Sequence, residues 1–167
     1  MKSYELFAAM SPTLAMEILE YAFANEKKLY HSTVEAVAQV RKVRTVFLER
    51  QPRAQRHPAI VIMLGRAALG VAADSLLRTW LLKCHAAMLA DFLDALKLKH
   101  EKGVIEDLPE TMDEGALRLA LDSLLAKYPQ ETVAVYLHAF NDMNEAGWKA
   151  LDELLKTEPR LRLQGKT

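Results

Sequence analysis

Apolar residues recur along this chain at steps of three and four, and prolines punctuate the runs. Ser11-Pro12 has the form of a helix N-cap followed by proline at the first helical position, where the missing N–H loses no hydrogen bond. Leu14, Ala15, Ile18, Leu19, Ala22 and Phe23 then share a face, while Glu17 and Glu20 point away, which predicts an amphipathic helix ending near Asn25. A second helix is expected from about Leu29, with Tyr30, Thr33, Val34, Val37 and Val40 on one side. Continuing it would turn Arg41 and Arg44 inward, so it should stop or bend near Arg41. The β-branched patch Val43-Arg44-Thr45-Val46-Phe47 predicts an extended or irregular piece, and Pro52 and Pro58 predict breaks after it.

From Ala59 the pattern resumes through Ile60, Met63, Leu64, Ala67 and Ala68, with Gly65 and Gly70 weakening or ending that helix. Two more helices are expected at roughly Ala72–Lys83 and Ala86–Leu98, followed by a turn at His100–Gly103 and an acidic connector, Glu106–Glu110. Thr111-Met112-Asp113-Glu114 fits a capping box opening a helix through Leu117, Leu121, Leu124 and Leu125. Tyr128-Pro129 starts another with Val133, Tyr136, Leu137 and Phe140. Asn144 is placed to cap a last one, bearing Trp148, Leu151, Leu154 and Leu155 and ended by Pro159. No hairpin dipeptide lies between alternating runs. The predicted class is all-α, a compact array of about seven or eight helices, compatible with stacked helix-hairpin pairs.

An internal echo supports the stacked arrangement. Asp74-Ser75-Leu76-Leu77-Arg78-Thr79-Trp80 resembles Asp122-Ser123-Leu124-Leu125-Ala126-Lys127-Tyr128, and Leu89–Leu96 aligns with Val133–Phe140. In that alignment Val135 stands where Asp91 does and His138 where Asp94 does. Chance similarity among helical Leu, Ala and Asp is the competing explanation.

The 167 residues suit one helical domain over 1–167, or a subdivision into 1–51 and 52–167 around the basic connector. Basic and acidic residues balance at 22 each, which removes any net field toward nucleic acid or anionic membrane. The balance conceals an asymmetry: residues 1–100 hold 14 Lys and Arg against 9 Asp and Glu, and residues 101–167 hold 8 against 13. The halves are therefore suited to attract each other, within a chain or head to tail between copies. The single Cys84 admits no intrachain disulfide, the N-terminus is a poor signal peptide because Glu5 interrupts it, and no uncharged run is long enough for a membrane span. A cytoplasmic location is the expectation.

Recognisable catalytic signatures are missing: no HExxH, Walker loop, dinucleotide fingerprint or GxSxG elbow occurs. Asp91 and Asp94 fall opposite a core face of Met88, Leu89, Phe92, Leu93 and Leu96, so they are expected to be solvated rather than to hold a metal. Cys84 is expected to be a small buried thiol. His138 lies on a stretch that is apolar nearly all round, where a half-buried imidazole would titrate near neutrality or donate to a partner. The stretch Arg41–Pro58 carries Arg41, Lys42, Arg44, Arg50, Arg53 and Arg56 against Glu49 alone.

The expected function is a non-enzymatic helical interaction or adaptor module that binds a protein partner or self-associates. The alternatives are nucleic-acid binding through the Arg41–Arg56 stretch and a small-molecule enzyme with a pocket among its helices. Arg41, Arg44, Arg53, Arg56, His138 and Tyr136 are the candidate binding residues; no catalytic residue, metal ligand or cofactor is predicted.

Overall fold

Apolar periodicity becomes helix throughout the computed structural model, which describes residues 1–164. Ten α-helices and no strand occur among the described residues, against the seven or eight helices expected. They are α1 (Ser3–Ala9), α2 (Pro12–Asn25), α3 (Lys27–Arg41), α4 (Thr45–Glu49), α5 (Arg53–Leu64), α6 (Gly70–Cys84), α7 (Ala86–Ala95), α8 (Glu114–Lys127), α9 (Gln130–Met143) and α10 (Lys149–Thr157). The chain divides into two compact units, centred on Lys2–Trp80 and Leu81–Leu163.

In the first unit α2 packs on α3 and α5, α1 on α5, and α3 on α4. The Ser11 hydroxyl accepts from the Leu14 N–H and caps α2, as the Ser-Pro pair predicts. α1 approaches α5 closely where Gly65 leaves room: a Cβ there would lie 3.2 Å from that of Ala8. α3 ends at Arg41 by a Schellman closure, in which Lys42 takes a left-handed conformation (φ 56°). The Lys42 and Val43 amides return to the carbonyls of Gln39 and Ala38, and the reversal keeps Arg41 and Arg44 exposed.

Two expectations about the connector are corrected. Residues 45–49 form the short helix α4 instead of an extended piece, because Leu48 is buried beneath it and tertiary packing overrides the β-branched preference. Pro58 does not break the chain either: α5 begins at Arg53 and runs through it. Proline at the sixth helical position removes one hydrogen bond, and the buried face of His57, Ile60, Val61 and Leu64 outweighs that loss.

In the second unit α9 is buried nearly all round, packed by α8, α10 and a 3-10 turn at Pro159–Leu161. Its core is an aromatic cluster in which Phe92, Tyr136, Phe140 and Trp148 meet at centroid distances of 5.4 to 6.1 Å. α7 stops at Ala95, three residues short of expectation, because Lys97 adopts φ 57° and the Lys97 and Leu98 amides close back on Asp94 and Leu93. The cap of α8 is Asp113, whose carboxylate accepts from the Ala116 N–H at 2.9 Å, not Thr111. Asn144 does not cap α10; Trp148 holds that position, and the Asn144 side chain accepts from the Ala146 N–H instead. Cys84, expected to be buried, is exposed at the end of α6.

Candidate functional site

The first unit contains a directional chain of polar groups that spans three helices. His57, on the inner face of α5, has a fully buried side chain. Its Nδ1 lies 2.7 Å from Glu20 Oε1 on α2, and its Nε2 lies 2.7 Å from the Tyr30 hydroxyl on α3. A carboxylate can only accept, so Nδ1–H donates to Glu20, which leaves Nε2 to accept from Tyr30. The Tyr30 oxygen in turn accepts from Arg56 Nε at 2.8 Å. Both imidazole nitrogens of His57 and the Tyr30 hydroxyl are thereby matched, donor to acceptor, along the sequence Glu20–His57–Tyr30–Arg56. Phe23 completes the cluster, with its ring 5.1 Å edge-to-face from both Tyr30 and His57 and the Arg53 guanidinium 5.0 Å above it.

Burial sets the ionisation of this cluster. It pulls the His57 imidazole below the ordinary histidine range, with the Glu20 hydrogen bond opposing it, and it pushes the Tyr30 hydroxyl up, with Arg56 opposing. A neutral imidazole agrees with the donor order above. Arg56 also reaches out of the cluster: its Nη1 donates to the carbonyls of Glu49 at 2.7 Å and Gln51 at 3.1 Å, tying down the end of α4.

Beside that anchor the surface changes character. Arg44, Val46, Phe47, Arg50, Gln51 and Pro52 line an open hollow of about 470 Å³. Val46 and Phe47 are 49% and 54% exposed, although both are large and apolar. Arg41, Lys42, Arg44 and Arg50 are exposed and have no side-chain partner among the described residues. The one acid of this stretch, Glu49, already accepts from His31 Nδ1 at 2.9 Å.

The predicted site residues therefore separate into three groups. Arg41 and Arg44 are unpaired surface cations. Arg53 and Arg56 belong to the cluster, with Arg53 3.9 Å from Glu20 as well as above Phe23. Tyr136 and His138 lie in the other unit and do not converge, since side chains two apart on a helix diverge. Tyr136 is a buried member of the aromatic cluster, and burial alone raises its hydroxyl pKa. His138 is half-buried and donates from Nε2 to the Leu161 carbonyl at 3.1 Å, an arrangement that holds the 3-10 turn on α9. Glu20, Tyr30 and His57 were not predicted, and Val46, Phe47 and Arg50 lay inside the Arg41–Arg56 stretch without being named as binding residues.

Other places offer less chemistry. Asp91 accepts from the Tyr128 hydroxyl at 2.6 Å and Asp94 from His100 Nε2 at 2.6 Å, so the two carboxylates serve separate partners. A second hollow, of about 770 Å³, is lined by Lys99, His100, Glu101, Lys102, Val104, Glu106 and Asp107, so its walls mix both signs of charge. Among the described residues no three His, Cys, Asp or Glu side chains are grouped to hold a metal ion, and no single helix is long and apolar enough to cross a membrane. Comparison with protein-family models, curated proteins and solved structures finds no match to this chain.

Proposed function

We propose that the chain is a protein-interaction module and that the hollow beside α4 is its docking surface. One observation carries the reading: the unpaired cations Arg44 and Arg50 flank two exposed apolar side chains, Val46 and Phe47, around a single depression. An occupant that suits it places one apolar side chain in the depression and carboxylates on either side. Each part adds a different quantity. Covering Phe47 and Val46 supplies affinity at roughly 25 cal/mol per Å² of apolar surface, whereas rim ion pairs at about 0.2–1 kcal/mol each set the partner and the encounter rate. The expected complex is weak and sensitive to salt.

A nucleic acid fits these features less well. Arg53 and Arg56, half of the four arginines first considered, are engaged in the cluster, and Phe47 is the one exposed aromatic ring beside the remaining cations. The deciding experiment measures fluorescence anisotropy of labelled acidic peptides, each carrying one large apolar residue, and of labelled oligonucleotides in parallel. Peptide binding should weaken at least tenfold in Phe47→Ser and in the double variant Arg44→Glu/Arg50→Glu. Binding of an oligonucleotide alone would overturn the proposal, provided it is indifferent to Phe47→Ser and has a log–log salt slope near −0.7 to −0.9 per contact.

A further inference from the structure

We infer that the occupant of the hollow is a second copy of this chain, contributing its acidic segment around Leu108. The inference rests on the docking reading above and names its partner. From Gly103 to Leu117 the chain has five acids, Glu106, Asp107, Glu110, Asp113 and Glu114, and neither Lys nor Arg. Asp113 is used as the cap of α8, and Glu114 pairs with Arg118 at 2.9 Å. Glu106, Asp107 and Glu110 are exposed and have no side-chain partner among the described residues. They surround Leu108 and Pro109, so the segment offers carboxylates on both sides of an apolar pair, which is the complement of Arg44 and Arg50 around Val46 and Phe47.

The segment is also held for presentation. Residues 105–113 are not helical, and the Trp148 Nε1–H donates to the Pro109 carbonyl at 2.7 Å from a fully buried ring, fixing the backbone beneath the carboxylates. Less chain entropy is then lost on docking than for a free peptide. The charge of the two units agrees: residues 2–80 hold 11 Lys and Arg against 7 Asp and Glu, and residues 81–163 hold 10 against 15. Each copy carries one hollow and one segment, so association closes as a reciprocal pair or propagates head to tail. Either form meets the inference.

The test is sedimentation velocity of the full chain over a concentration series at low and at high salt. Self-association is expected at low salt and should weaken at least tenfold at high salt. Arg44→Glu/Arg50→Glu and Glu106→Lys/Glu110→Lys should each be monomeric alone, since each sets like charges against one another. Mixed together they should associate again, because the acidic hollow of one now meets the basic segment of the other. All four positions are exposed, so folding is retained and circular dichroism verifies it. A labelled peptide of residues 104–112 separates the two levels of failure. If the chain is monomeric at low salt and ignores this peptide while other acidic, apolar peptides bind the hollow, self-docking is overturned and the docking surface stands. If no acidic peptide binds, both are overturned.

Discussion

Replacing Tyr30 by phenylalanine removes one oxygen and leaves the ring, so it isolates the polar chain from the packing around it. The edge-to-face contacts with Phe23 and His57, at 5.1 and 5.3 Å, survive. Two hydrogen bonds are lost, to His57 Nε2 at 2.7 Å and from Arg56 Nε at 2.8 Å. The two ends differ in cost. His57 has no exposed side-chain surface, so no water replaces the hydroxyl, and a buried acceptor left unsatisfied costs about 1–3 kcal/mol. Arg56 is half-buried and recovers most of its bond from solvent. The sum is about 2 kcal/mol. In urea, with a slope of roughly 1–3 kcal/mol per molar, the midpoint should fall by about 1 M. Hydrogen exchange should locate the loss in α2, α3 and α5 and leave α9 protected. Tyr128→Phe is the matched control: it removes a hydroxyl from Asp91 at 2.6 Å, but Asp91 is 31% exposed, so the penalty there should be smaller. If the two substitutions shift the midpoint equally, or Tyr30→Phe shifts it by less than a quarter of the expected amount, the hydroxyl is solvated and the chain Glu20–His57–Tyr30–Arg56 does not exist as described.

Acid should destabilise the protein before its carboxylates titrate. Burial holds His57 and His138 below the ordinary value of 6.5, so below that pH the unfolded chain binds protons that the folded chain refuses. Stability is then full above 6.5 and falls by up to about 1.4 kcal/mol per pH unit per histidine until each folded pKa is passed. Urea titrations at stepped pH should show this fall, with a shallower slope in His57→Asn, and a flat or rising profile would contradict it. Gly103 has φ +85°, and a Cβ there would lie 2.7 Å from that of Leu89, so Gly103→Ala should cost at least about 1–2 kcal/mol, measurable as a lower melting temperature. Arg56→Lys keeps the charge but cannot bridge Tyr30 and two carbonyls at once; docking of an acidic peptide should weaken with an unchanged salt slope, and a changed slope would place Arg56 in the interface itself.

The helices were legible because their signal is local. Leu14, Ile18, Leu19 and Ala22, or Leu117, Leu121 and Leu124, lie within a turn or two of each other, and periodicity alone places them inward. The polar chain was not legible in that way, since His57 is 27 residues from Tyr30 and 37 from Glu20. One signal was nonetheless present. Position 57 continues the inner face of Ile60, Val61 and Leu64, and it was hidden by starting the helix at Ala59, after Pro58, when the buried face carries the helix through that proline. A histidine on such a face must find partners, which points to acids and hydroxyls on the neighbouring helices. α4 was missed for a related reason: its β-branched residues favour strand, and only the burial of Leu48 against α3 settles the matter.

The run of positive charge from Arg41 to Arg56 is two structures rather than one. Toward its end, Arg53 and Arg56 sit a helical turn apart on α5, face Glu20, Phe23 and Tyr30, and contribute to holding α2, α3 and α5 together. Toward its start, Arg41, Lys42, Arg44 and Arg50 lie around α4, where the Schellman reversal and the short helix turn them outward. Arg56 joins the two sets, because the same guanidinium that completes the buried chain also holds the carbonyls at the end of α4. The unpaired cations and Phe47 are therefore displayed on a rigid base rather than on a loose connector. For the proposed docking surface, holding the end of α4 beforehand lowers the entropy lost on binding and so adds to affinity.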